Sequence, residues 1–294
     1  FRSVGETKIP LLALAVSGVV NVALNLFFVA VLGMTVNGVA IATVISNALS
    51  SAILYFRLRT TAREVHVEPH LLRIDLGILK RILRIGLPAG IQSGVFSLAN
   101  IIIQSAINSL GTVVMAASSA AFNIEIFTYD IVNAFGQACT TFVGQNFGAG
   151  ELKRCKKTLL LCLAEGAVIL LAAIALIISF GKPLLSIFNS DPEVIDIGYI
   201  RVMLVVSAHF FSMLYEVMSG YLRGFGISLG PAILTMIGVC MVRLLWIQFV
   251  FPLSRTFRTI MLVYPVSLSL TALMIFVALL CTHPSRRFAK KADA

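Results

Sequence analysis

The chain has 294 residues, of which 59% are hydrophobic and 12% charged, with a mean hydropathy of +0.97. Soluble globular domains carry about 25% charged residues, so this composition excludes one and points to an integral membrane protein. The net charge of +10 does not mark a nucleic-acid binder, because the basic residues fall in short clusters between apolar runs rather than on one solvated face.

A spanning helix needs about 20 predominantly apolar residues. Segments 9–32 and 36–56 meet this without a charge, with the breakers Gly33 and Gly38 at their junction. After a basic stretch, segment 85–110 is again uncharged. It opens on Gly86, Gly90 and Gly94 at four-residue spacing, interrupted by Pro88. That pattern predicts close helix packing and a bend. Four further spans, 113–147, 158–180, 194–221 and 227–253, carry isolated charges, and 259–282 carries none. The expectation is an all-α integral membrane protein with eight transmembrane helices.

Phe1-Arg2-Ser3-Val4-Gly5, with Pro10 beyond it, recurs in design as Leu222-Arg223-Gly224-Phe225-Gly226 with Pro231. Each copy leads into a long apolar segment. Six spans lie between the copies, and an even number gives both halves the same orientation about an axis along the membrane normal. The reading is two six-helix lobes in the full protein, with four spans missing before Phe1. Expected boundaries are 1–57 for the last two helices of the N-terminal lobe and 58–84 for a cytoplasmic linker. The C-terminal lobe is 85–282, and 283–294 is a basic tail. Alternation of sides puts 18 of the 23 Lys and Arg residues on one face, which should be cytoplasmic together with both termini.

Ionisable groups inside a bilayer are costly and normally mark a pathway or coupling site. In span 113–147, Asn123, Asp130, Asn133, Gln137 and Thr141 fall within about 100° of one another on a helical wheel. This stripe is read as a cavity wall, with Asp130 able to hold a proton or offer oxygens to sodium. An interhelical hydrogen-bond network is the plainer alternative. Glu125, on roughly the opposite face, is either functional or a helix contact. His209, Glu216 and Arg223 recur every seven residues and should stack along one face. There Glu216 is a second coupling candidate, or else the salt-bridge partner of Arg243. Arg201 is read as an anchor near a helix start, and Asn21 with Asn25 as helix glue.

The five cysteines show neither metal spacing nor a disulfide framework and are read as reduced packing residues. His66 and His70 are four apart, but Pro69 argues against a helix there, so no metal site is expected. No catalytic motif appears. No cofactor is expected, and the chain reads as a transporter rather than an enzyme.

Phe1 to Pro10 (FRSVGETKIP), Asn21 and Asn25, Gly38 to Thr43 (GVAIAT), Leu87 to Gly90 (LPAG), Thr141 to Gly150 (TFVGQNFGAG) and Leu222 to Gly226 (LRGFG) together resemble the multidrug and toxic compound extrusion (MATE) family. The match runs from the link into helix five to helix twelve, and Thr141 to Gly150 is its most specific part. The resemblance implies a MATE-like bundle of two pseudo-symmetric lobes and alternating access. It also implies efflux of organic cations or drug-like compounds in exchange for protons or sodium. Some family members carry a glutamate inside helix seven; counted from Pro88, this chain has Phe96 there. The helix-one aspartate that many members use falls outside the chain. Glu216 lies in a region of helix ten where family acids occur.

The leading expectation is thus a secondary multidrug antiporter of a bacterial inner membrane, monomeric, with cationic or amphipathic small molecules and the lipid bilayer as its partners and no nucleic acid. The alternative is a flippase of the same superfamily for a lipid-linked or other anionic precursor. Such a cargo would need several cations in the cavity. The acids Glu125, Asp130, Glu165 and Glu216 in the spans, against Arg243 and Arg201, favour a cationic one.

Overall fold

The computed structural model describes residues 1–61 and 65–282, together with Pro284. The described residues are helices joined by short connections, without a strand. The long helices are α1 (Lys8–Val31), α2 (Val36–Thr60), α3 (Leu76–Asn108), α4 (Thr112–Gly148) and α5 (Leu152–Ser179). After a short α6 (Gly181–Ser186) come α7 (Pro192–Gly224), α8 (Leu229–Leu253) and α9 (Phe257–Thr282). Seven of these are long and apolar enough to cross a membrane. The eighth expected span is α4, a helix of 37 residues whose polar side chains keep it out of that set. At about 1.5 Å per residue it is still longer than a bilayer core. The chain is therefore a multi-pass membrane protein.

Helix ends follow local chemistry. Asp191 caps α7 by accepting from the Glu193 amide at 2.9 Å, with Pro192 in the first helical position, where a missing N–H costs nothing. Gly111 separates α3 from α4 at φ 104°, a backbone conformation that side chains disfavour.

The chain divides into two compact units, Phe1–Leu76 and the part from Gly77 onward. Helix α3 begins at Leu76, earlier than the expected start at residue 85, so part of the expected 58–84 linker is helical. Arg63 and Glu64 of that linker, His283 and the basic tail 285–294 lie outside the described residues.

In the first unit, α1 and α2 meet through small residues: Ala13 and Ser17 face Gly38, Ala42, Ser46 and Ser50, all buried. Small side chains let two backbones approach where lipid supplies no hydrophobic drive. Asn21 Nδ2 donates to Ser46 Oγ at 3.0 Å, and Asn25 donates to Asn21 at 3.0 Å. The asparagines are helix glue.

In the second unit, α7 is the central helix, packed on α4, α5 and α9. Its tightest crossing is with α4. A Cβ on Gly220 would stand 2.5 Å from the Gly136 carbonyl oxygen, and one on Gly224 2.7 Å from Val143. The glycines singled out in the sequence behave differently. At Gly86, Gly90 and Gly94 no described atom lies within 4 Å of where a Cβ would be. Close packing in this unit belongs instead to Gly136, Gly220 and Gly224.

Candidate functional site

Helices α3, α4, α7, α8 and α9 enclose a cavity of about 660 Å³ within the second unit. Helix α3 contributes Phe96, Asn100 and Gln104, and α4 contributes Ser118, Phe122, Glu125 and Tyr129. From α7 come Arg201, His209, Ser212 and Tyr215, with Arg243 from α8 and Tyr264 from α9.

The centre of this wall is an ion pair. Arg201 Nε donates to Glu125 Oε2 at 2.8 Å, and Nη2 donates to Oε1 at 2.9 Å. A third donor, Nη1, reaches Ser118 Oγ at 2.6 Å. Arg201 is 5% exposed and Glu125 7%. Arg201 is thus no interfacial anchor. The α turns of α7 give way to a wider π turn, Val202–Val206, immediately after it, and wide turns of this kind shift side-chain register within a helix. Of the two alternatives for Glu125, the geometry supplies the helix contact, and it does so inside the cavity.

His209 lies one layer away, its Nδ1 2.6 Å from Thr128 Oγ1, which in turn donates to the Glu125 carbonyl at 2.8 Å. His209 therefore belongs to the Glu125 network. Glu216, seven residues on, pairs with Arg223 on its own helix. The Glu216–Arg243 salt bridge, one of the two readings of Glu216, does not form: Arg243 lies against Tyr264 and Phe96. An intrahelical partner one heptad away was available to Glu216, and sequence spacing alone could not rank the two arginines. The Glu216 stem lies over Gly136, where a Cβ would come within 2.7 Å of its Cγ.

The polar stripe of α4 is elsewhere. Asp130, Asn123 and Gln137 are exposed and Asn133 is half-buried; none of the four lines the cavity. Asn123 donates back to the Ser119 carbonyl at 3.0 Å. Ser119 and Ile126, on the same side of α4, do line the cavity, and Asp130, Asn133 and Gln137 follow them along the helix, past its lining. Ser118, Thr128, Ser212 and Tyr215, unremarkable in the sequence, are close to the ionic groups instead. Of the cavity's lining, Glu125, Arg201, His209 and Arg243 carried a signal, as ionisable residues inside apolar spans. His66 and His70 both lie near Glu68, at 3.9 and 3.4 Å. Among the described residues no group of three or more His, Cys, Asp or Glu side chains is placed to hold a metal.

The MatE family model matches residues 88–247. A probable multidrug resistance protein NorM of Thermotoga maritima is 28% identical over 253 residues, covering 83% of this chain and 53% of the relative. An FAD transporter of Shewanella oneidensis is 27% identical over 203 residues, covering 66% of this chain and 44% of the relative. The chain spans about half the length of the curated relatives it matches. The solved outward-facing structure of a multidrug resistance MATE family transporter of the MOP superfamily superposes with a TM-score of 0.82 at 21% identity. That alignment covers 96% of this chain and 63% of that one. With more than half of its length matched by the family model, through the helices that build the cavity, the chain belongs to the MatE family.

Proposed function

We propose that this chain forms most of a secondary efflux transporter that exports drug-like small molecules in exchange for protons or sodium by alternating access. The observation that carries the reading is the cavity of about 660 Å³, walled by five membrane helices and holding the buried Arg201–Glu125 pair. Its size suits a small organic ligand, and relatives of the chain are named as multidrug resistance proteins and as an FAD transporter. Relatives named in this way are transporters, which supports a role other than enzyme. The proposed setting is the inner membrane, both termini on the cytoplasmic side, with 85–282 forming one of two lobes in a monomer.

For coupling we retain Asp130 and Glu216. Among the described residues no ion pair involves Asp130, whereas Glu216 is held by Arg223. Charge balance inside the lobe is less acidic than a count of span residues indicates, because Glu125 and Glu216 are both engaged by arginines. A lipid-linked polyphosphate cargo would need several cations; Arg201 is neutralised by Glu125, which leaves the cavity with Arg243. That favours a small cargo over a lipid-linked one.

The test is accumulation of a fluorescent dye in inverted vesicles carrying the intact protein under an imposed pH or sodium gradient. Gradient-dependent accumulation is expected; a signal indifferent to both gradients would refute antiport.

A further inference from the structure

Arg243 is the cavity's unexplained charge. It is 3% exposed, yet among the described residues no carboxylate stands within ion-pairing distance of its guanidinium. Nη1 donates to Asn100 Oδ1 at 3.0 Å, and the buried Nε has no hydrogen-bond partner. The guanidinium is 4.4 Å from the centre of the Tyr264 ring and 5.2 Å from that of Phe96. Arg201, in the same cavity, has both its charge and its fork met by Glu125 and Ser118. The two arginines thus share an environment and differ in satisfaction.

A buried cation without an anion is expensive, and in membrane helices such a group marks a binding function. The local backbone is also specialised: Arg243 lies in a four-residue α stretch, Val242–Leu245, between the wide π turns Met236–Met241 and Trp246–Val250. Aromatic contacts engage the face of a guanidinium, while its N–H donors lie in its plane and suit two oxygens of one carboxylate or phosphate. Tyr129, exposed in the cavity wall, offers a ring face on which a planar ligand can stack; one face of the neighbouring Phe122 ring carries the Arg201 guanidinium at 5.6 Å.

We propose that the cavity contains a subsite for a planar aromatic anion, with Arg243 receiving its carboxylate or phosphate. The proposal deepens the transporter reading by naming a cargo class, and it rests on that reading only for the direction of transport. The aromatic lining selects a small aromatic molecule over a lipid headgroup. Zwitterionic compounds are included, since their anionic end would be read here.

The experiment measures fluorescence anisotropy of pyrene-1-carboxylate and pyrene-1-carboxamide titrated with the purified intact protein in detergent. The acid is expected to bind at least about 10-fold more tightly than the amide, a difference of about 1.4 kcal/mol. In R243Q the preference should fall below about 2-fold, and an unchanged monodisperse size-exclusion profile reports that the variant is folded. R243K, which keeps the charge but not the fork, should retain part of the preference. Equal binding of acid and amide by the unaltered protein, no binding of either, or a preference that survives R243Q would overturn the subsite. Gradient-driven dye uptake is scored separately. Its failure alongside an intact acid preference would remove the transporter reading and leave the subsite supported.

Discussion

Arg201 and Glu125, 76 residues apart in sequence, meet through two parallel hydrogen bonds of 2.8 and 2.9 Å inside the lobe. The pair fastens α7 to α4 and fills one wall of the cavity. Breaking such a pair from one side leaves a buried charge uncompensated, at a cost of about 3–5 kcal/mol. E125Q and R201M are each expected to lower the melting temperature of the purified protein markedly. The double variant should recover much of that loss, because neither charge remains. Melting of all four proteins completes a double-mutant cycle, and strictly additive losses would show that the pair is not coupled.

The α4–α7 crossing gives a sharper steric test. At Gly220 an added methyl would stand 2.5 Å from a backbone oxygen, which no rotamer change relieves. G220A should cost roughly 1–3 kcal/mol and reduce the yield of monodisperse protein on size exclusion. G90A meets no described atom within 4 Å and replaces a helix-interior glycine, so its melting temperature should hold or rise. Equal damage from both would remove the crossing as the reason for the glycines.

Coupling is tested at the two retained acids. D130N is expected to abolish gradient-driven dye transport while leaving the melting temperature within error of the unaltered protein, because among the described residues no ion pair is lost. E216Q should also impair transport, and in addition lower the melting temperature, since Arg223 loses its carboxylate. Full transport in both variants would move the coupling site out of this part of the protein.

Thr128 bridges His209 and the Glu125 carbonyl. T128V keeps the volume and removes the hydroxyl, leaving a buried imidazole nitrogen without its partner at a cost of about 1–3 kcal/mol. Calorimetric or fluorescence melting of T128V against the T128S control separates the hydroxyl from the methyl; destabilisation by T128S as large as by T128V would discount the hydrogen bond.

Much of the architecture was legible because it is written locally. Runs of about 20 apolar residues, glycine breakers and the repeated Arg-Gly-Pro design place the helices within a turn or so of their observed ends. The exceptions are the starts of α3 at Leu76 and of α5 at Leu152, where Lys80, Arg81 and Arg84, and Lys153, Arg154, Lys156 and Lys157, disguise helix as loop. Asn21 and Asn25 were also read as they stand, because residues one turn apart on a helix must be neighbours.

The site was only half legible. Composition identifies Glu125, Arg201, Glu216 and Arg243 as costly charges in apolar spans, which is a statement about each residue and lipid alone. Which arginine answers which glutamate depends on how α4, α7 and α8 are rotated and crossed. That rotation is set by close approaches between helices, such as Gly136 against Gly220, which no single helix specifies by itself. The same packing sets Ser118 beside Arg201 and Thr128 beside His209. The sequence by itself determined a helical membrane protein with expensive buried ions, since hydropathy is a local sum. Only the tertiary structure decided that Arg201 is paired and Arg243 is not, since pairing is a property of helix packing.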